Sequence, residues 1–578
     1  MFKEDMMAVT KKRLSLWLLN FTSLAVFVWL LIWGMSQPKA MLMLFKNVSY
    51  YLILFLLLLW VVQVVVFLRE TDFSPGRLVR DYWLGIVLAL VLTVIVFVSV
   101  KVSFKTLSDE TNLLSISRSM TESKTVLNCT MAKFYYGNLN PINYEVDKRP
   151  LVFPFLVHLL HTFTGLRYQN GFALNFIVMF LFLAAVYIVT RKLLDVPSAV
   201  AAVLLVLAYP VFTIYGTSAG FDLLNAVFFI MVLSITFRFI KSPSSPAFAL
   251  LFSSLLVSAN IRYESVVFLP LVVLLVLPNI KWQYLRDSSF LFFAAPLVNL
   301  PYLWNRLLKP GAYYESVKDV TLFSFGAVEK NAALFFGNLI DLQYNLPYAG
   351  VVSVISILIF IYLVIQTCRR RIFVEKHNRC FIVVLLVTVG LSTLMYFAHF
   401  MGQCTHPSTA RFFIILSICF ALGPVALRAA KPQLFSGRVL LLFAAVCFIY
   451  YHPIAVKGRF INTLTLNRLT QQCIDFLEKS DNENALVVSS RPGQYVALGF
   501  GAVDFNYANN NKAALLNEAR RHLYSRLIVF QEIMYATGKP SADSALDADF
   551  ILKPLYEIQI TAEAYLKISQ AVIADGQG

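Results

Sequence analysis

Apolar stretches of about 18 to 20 residues recur along most of the chain, and each is long enough to cross a hydrocarbon core of about 30 Å as a helix. They fall at about 15–34, 49–68, 82–101, 171–190, 197–215, 223–240, 246–261, 264–279, 288–306, 348–367, 380–399, 412–428 and 438–452, about thirteen spans in all. The polar connections between them are not alike. If the N-terminus is cytoplasmic, every inner connection is basic, from Lys11, Lys12 and Arg13 through Arg191 and Lys192 to Arg369, Arg370 and Arg371, as the positive-inside rule asks. Leu151 to Thr164 is apolar enough to pass for a span, but counting it would move Arg191 and Lys192 outside, so it is read as a juxtamembrane helix. The opening apolar run is long for a signal-peptide core and is read as a retained first helix.

This parity places three segments on the outer face: a long loop at about 102–170, a second at about 308–346, and everything after Tyr451. The pattern also changes there. From about His452 to Gly578 the acidic and basic residues nearly balance, with short buried strands expected at Ala485–Ser489 and Leu527–Phe530 and helices at Asn467–Lys479 and Asn511–Leu523. The expected fold is therefore a polytopic α-helical membrane protein, residues 1–452, carrying a small C-terminal α/β soluble domain, residues 453–578, on the outer face.

Composition agrees with the pattern. The 578 residues are 58% hydrophobic and 14% charged, against roughly 25% charged in soluble domains, and mean hydropathy is +0.70. This excludes a soluble globular chain, and the number of spans excludes a single-pass receptor. The net charge of +17 would suggest nucleic acid in a soluble protein. Here the inner segments hold 21 Lys and Arg against 8 Asp and Glu, so most of the surplus is topological and no nucleic acid is implied. Seven cysteines without CxxC spacing point neither to a disulfide framework nor to a thiolate metal site.

Charged groups in or beside a membrane domain are costly, and four clusters stand out. Asp109-Glu110 follows the third span; adjacent acids there also suit the start of a helix. Asp147-Lys148-Arg149-Pro150-Leu151 opens the juxtamembrane helix, where two cations could hold a phosphate or merely snorkel. Asp222 sits at the outer end of the sixth span behind small residues, a place an N-cap also explains. Arg262 with Glu264, and Arg411, lie at outer turns, where arginine is uncommon. Parity brings all of them to one membrane face. A carboxylate with several cations at a lipid interface suits transfer of a group from a lipid phosphate, with a base for the acceptor hydroxyl and fixed positive charge for the departing phosphate. His158, His161, His399 and His406 lack metal-ligand spacing and are read as structural or interfacial; neither a metal nor a cofactor is expected. Asn128-Cys129-Thr130 reads as a glycosylation sequon.

The order of an outer-loop Asp-Glu, a basic-Pro-Leu junction opening an apolar helix that ends in Gly165, and an Asp opening a later span resembles the GT-C membrane glycosyltransferases. Among them it is most similar to bacterial relatives of protein O-mannosyltransferases and of the aminoarabinose transferase acting on lipid A, over roughly Leu84 to Phe413. The resemblance implies Asp109 as the family's candidate base, with Glu110 beside it, and Asp222 as a second acid lining the site. It implies Lys148 or Arg149 as the cation on the lipid phosphate, and Arg411 as a further phosphate contact; Arg262, on the same face, is expected to bind the donor phosphate as well. The family usually has Lys-Pro-Pro-Leu where this chain has Lys-Arg-Pro-Leu, and two spans precede the one that normally comes first.

The implied activity is transfer of a sugar from a polyprenyl-phosphate donor to a hydroxyl of a glycan, lipid or protein acceptor, with inversion, on the periplasmic-type face of a bacterial inner membrane, the C-terminal domain lying in the periplasm. A polysaccharide polymerase or ligase is the alternative within enzymes; it usually places its large outer loop late in the chain. A lipid flippase or transporter would put charges mid-span in repeated halves.

Overall fold

The computed structural model describes residues 36–573 except 136–137, 263, 266–271, 274, 295–322, 340–345, 370–375, 463–464 and 480–483, together with scattered positions between 18 and 33. The helical body runs through α1 (Pro38–Glu70), α2 (Pro75–Ser99), α3 (Leu107–Glu122), the strands β1 (Leu127–Tyr135) and β2 (Asn138–Val146), then α4 (Val152–Thr164), α5 (Gln169–Leu193), α6 (Val196–Leu207) and α7 (Pro210–Gly216). It continues with α8 (Asp222–Lys241), α9 (Ser245–Ile261), α10 (Phe325–Leu339), α11 (Gly350–Cys368), α12 (Lys376–Ala398), α13 (Ile414–Ala430) and α14 (Gly437–Lys457). Among the described residues seven helices are long and apolar enough to cross a membrane, or eight if the bent pair α6 and α7 is one span. The chain is an integral, multi-pass membrane protein.

Ten of the thirteen expected spans coincide with described helices: those seven, the bent pair α6 and α7, and the shorter apolar helices α9 and α12. The expectations at 15–34 and 288–306 lie largely, and that at 264–279 partly, outside the described residues.

Helix starts follow local chemistry. Ser74, Asp195, Ser244 and Ser436 each accept a bond from an amide three residues on, three of them just ahead of a proline that suits the first turn. Pro210, which has no N–H to continue α6, marks a bend of 70° between α6 and α7. Connections alternate between the two ends of the body. At one end Ser244 meets Glu70 at 3.0 Å, Ser245 meets Asp287 at 2.8 Å, and Arg428 meets Asp195 at 3.5 Å. The residues of chemical interest lie at the other.

After α14 the chain forms α15 (Thr465–Lys479), β3 (Leu486–Ser489), α16 (Pro492–Ala497), β4 (Gly501–Val503), α17 (Phe505–Asn510), α18 (Lys512–Arg520), β5 (Leu527–Met534), β6 (Phe550–Gln559) and β7 (Ala564–Ile573). The seven strands make one sheet in the order β2-β1-β4-β3-β5-β7-β6, with β4, β3 and β5 parallel and the other pairings antiparallel. The C-terminal sheet domain therefore exists, but two of its strands come from the 102–170 loop. A buried ion pair fastens this graft: Lys133 of β1 lies 2.8 and 2.9 Å from the carboxylate of Glu518 in α18. Tyr168 also donates to Glu478 at 2.6 Å, and α16 packs on α3. The sheet is thus continuous with the segment that carries Asp109 on one side and Arg149 on the other.

Candidate functional site

Asp109 and Glu110 occupy the first turn of α3, where exposed amide dipoles favour negative charge. Their side chains part immediately. Glu110 is 1% exposed. One of its oxygens accepts the backbone N–H groups of Lys105 (2.7 Å) and Thr106 (2.6 Å), and the other that of Ala219 (2.9 Å). Asn175 of α5 holds the same small-residue loop by donating to the carbonyls of Ser218 (2.7 Å) and Gly220 (2.8 Å). The loop can come this close because Gly171 has no side chain: a Cβ there would sit 2.9 Å from that of Ala219. Glu110 thus straps the entry to α3 onto the turn that leads into Asp222. Burial pushes its carboxyl above the usual range, against the three amides that pull it down.

Asp109 turns to side chains instead. Its carboxylate accepts from Arg149, through Nε at 3.0 Å and through Nη2, and from Arg411 Nη2. Arg149 is also paired with Asp147, whose carboxylate accepts the Arg149 backbone N–H at 2.8 Å. Arg411 reaches on to Asp222 at 3.4 Å, Asp222 pairs with Arg262, and Arg262 Nε lies 3.1 Å from Glu264. The result is one alternating line, Asp147, Arg149, Asp109, Arg411, Asp222, Arg262, Glu264. It gathers four acids and three arginines from five separated segments. Burial alone would raise the Asp109 carboxyl, but Arg149 and Arg411 outweigh it and hold it well below the usual carboxylate range.

Two aromatic rings brace the cations. The Phe412 ring lies 5.0 Å from the Arg262 guanidinium and 5.7 Å from that of Arg411; the Phe221 ring lies 5.6 and 5.9 Å from the same groups. Phe412 in turn stacks on Tyr396 at 5.4 Å. Arg411 Nε donates to the Ser408 carbonyl at 2.9 Å.

Of the residues singled out in the sequence, Asp109, Arg149, Asp222, Arg262 and Arg411 meet in this line. Lys148 is half-buried next to Arg149, and Arg149 is the member of that pair joined to Asp109. Glu110 stands apart on backbone amides. Arg262 is buried, between Asp222 and Glu264. Asp147 and Glu264 stood in the sequence clusters without an assigned role, and the bracing by Phe221 and Phe412 had no signal beyond their places next to Asp222 and Arg411.

The histidines of α4 are tied on both ring nitrogens. Thr121 Oγ1 already donates to the Ser117 carbonyl, so His158 Nδ1 donates to it at 2.9 Å and Nε2 accepts from Tyr50 at 3.2 Å. His161 Nδ1 accepts from Asn170 at 2.7 Å and its Nε2 donates to Ser117 Oγ at 3.0 Å. Asn128, the expected sequon, is 3% exposed within β1 and donates to Glu145 at 2.8 Å, which removes it as an accessible glycosylation acceptor.

Residues 148–303 match the family described as dolichyl-phosphate-mannose-protein mannosyltransferase. This is a GT-C family. The resemblance to GT-C membrane glycosyltransferases drawn from the sequence therefore has support over a segment that begins on Lys148 and includes Asp222, Arg262 and Glu264. Two solved structures are similar to the chain. One is ArnT from Cupriavidus metallidurans bound to undecaprenyl phosphate, at 14% identity over 85% of this chain and 99% of that one, with a TM-score of 0.48. The other is the same ArnT in the apo state, at 13% identity over 86% and 100%, with a TM-score of 0.46. No curated protein matches the chain.

Proposed function

We propose that this GT-C-type protein transfers a sugar from a polyprenyl-phosphate donor to an acceptor hydroxyl, with the line of ion pairs from Asp147 to Glu264 as its active site. The observation that carries this reading is the convergence of three arginines and four acids at one end of an apolar helical body. In the proposed step the acceptor oxygen attacks the anomeric carbon and its proton passes to Asp109. The bond from that carbon to the phosphate oxygen breaks, and the electron pair leaves with the polyprenyl phosphate. Arg149 and Arg411 meet the charge that develops on the phosphate, each good donor being worth about 3 kcal/mol by analogy with oxyanion holes. One direct displacement inverts the anomeric centre.

The site end is proposed as the outer, periplasmic-type face of a bacterial inner membrane, because the basic connections around Arg69 to Arg80, Arg191, Arg238, Lys281 to Arg286 and Arg428 to Arg438 gather at the opposite end. The C-terminal sheet, continuous with the loop that bears the site, is placed to meet the acceptor, be it glycan, lipid or protein. Asp222 is assigned to holding Arg411 and Arg262, and Glu110 to holding the backbone around both acids. Incubating the purified protein in detergent with a polyprenyl-phosphate sugar and following product by mass spectrometry tests the reading. Transfer needs no sealed membrane, whereas a flippase or transporter would show nothing there.

A further inference from the structure

Asp109 differs from the other six members of the ion line in its exposure. It is the most exposed, with 21% of its side chain accessible against 2 to 15% for the others. Its carboxylate, like that of the buried Asp222, is held by two guanidinium groups. Both arginines have anchors that do not depend on it. Arg149 keeps Asp147, and Arg411 keeps Asp222, the Ser408 carbonyl and the faces of Phe221 and Phe412. If Asp109 withdrew, the two cations would stay, pointing at the same accessible spot.

A sugar linked to a polyprenyl phosphate is a phosphodiester with one negative charge, the same charge as the Asp109 carboxylate, and guanidinium forks accept either anion. We infer that in the donor-free protein Asp109 occupies the place of the donor's phosphate, and that the donor frees Asp109 to act as a base by taking over Arg149 and Arg411. This rests on the function proposed above. A carboxylate neutralised by two arginines is a poor base; once they turn to the phosphate, Asp109 is left beside an anion and its affinity for a proton rises. The acceptor's proton then has somewhere to go only when a donor is in place. The phosphate gains a further charge as its bond to the sugar breaks, so the arginines hold the transition state more tightly than the bound donor.

The test is equilibrium binding of a polyprenyl monophosphate to the detergent-purified protein. Removing the competing charge in Asp109→Asn should tighten binding about tenfold, while Arg411→Gln should weaken it. Unchanged or weaker binding by Asp109→Asn, with Arg411→Gln weakened as expected, overturns the exchange and leaves the proposed function standing. No binding by the unaltered protein overturns both. A second measurement needs no variant: the acidic limb of kcat, set by the donor complex, should lie at higher pH than that of kcat/KM, set by the free protein. Coincident or reversed limbs overturn the exchange.

Discussion

Asp109 and Glu110 are neighbours on one helical turn, yet the two regions they organise are built on opposite principles. Around Glu110 a carboxylate is spent on backbone: two N–H groups from its own helix entry and one from the distant Ala219 loop converge on it, and Asn175 holds that loop from another side. Backbone amides cannot swing away, so this region has one arrangement. Around Asp109 the partners of the carboxylate are the ends of two long side chains, and each arginine has another acid to fall back on. Such a region can exchange partners without unfolding anything. A site that must bind and release an anion needs the second kind of region mounted on the first, because the cations must be placed to fractions of an ångström while the carboxylate between them stays replaceable.

The comparison breaks most decisively at Asp109 itself. Asp109→Asn removes the proposed base, and transfer should fall by about a thousandfold, within the range general bases contribute. Near-normal turnover of a polyprenyl-phosphate sugar by that variant would remove Asp109 from the chemistry. Glu110→Ala should instead act on the fold. Three buried amides lose their acceptor, at about 1 to 3 kcal/mol for each group left unsatisfied, so unfolding in detergent should become easier by about 3 kcal/mol or more. Activity should fall with it. If Glu110→Ala loses activity while melting as the unaltered protein does, the acid belongs to the chemistry and the division between the two regions is wrong.

Hydropathy and loop charge made much of the helical body legible, because a membrane span imposes a length and a composition that no other environment requires. They also indicated that Asp109, Asp222, Arg262 and Arg411 share an end. The pairing order was not legible, since which guanidinium meets which carboxylate is set by side-chain reach across helices far apart in sequence. Nor did adjacency separate Asp109 from Glu110: two neighbouring acids look alike until one is seen to face backbone. In the sheet, Ala485–Ser489 and Leu527–Phe530 stood out as apolar runs. β1 did not, because Lys133 and Asn128 interrupt its pattern, and both are buried only by virtue of partners, Glu518 and Glu145, that the sequence places elsewhere; β2 did not because it is mostly exposed and polar.

The bracing rings offer a finer cut. Phe412→Leu keeps apolar bulk but removes the aromatic face from two buried guanidinium groups, a loss of about 1 to 2 kcal/mol, and should raise the donor KM about tenfold. Phe412→Tyr keeps the face and should restore it. A KM unchanged in Phe412→Leu, or lost equally in Phe412→Tyr, would mean the arginines are placed by their ion pairs alone.

The smallest effect lies in the joint between α3 and α4, on the rigid side of the comparison. Burial holds His161 down at about 4, against 6.5 for the free imidazole, and its Nδ1 accepts from Asn170, so the ring is neutral in the folded protein. On unfolding it recovers its ordinary affinity for a proton. The unfolded chain therefore binds more protons between these two values. The stability that His161 contributes is intact above pH 6.5 and is lost as pH falls toward about 4. Melting temperature in detergent should decline over that window, and His161→Gln, which cannot titrate, should decline less steeply. Identical slopes for the two proteins would mean that other groups govern acid loosening of the joint, leaving Glu110 and its amides as the better place to look for it.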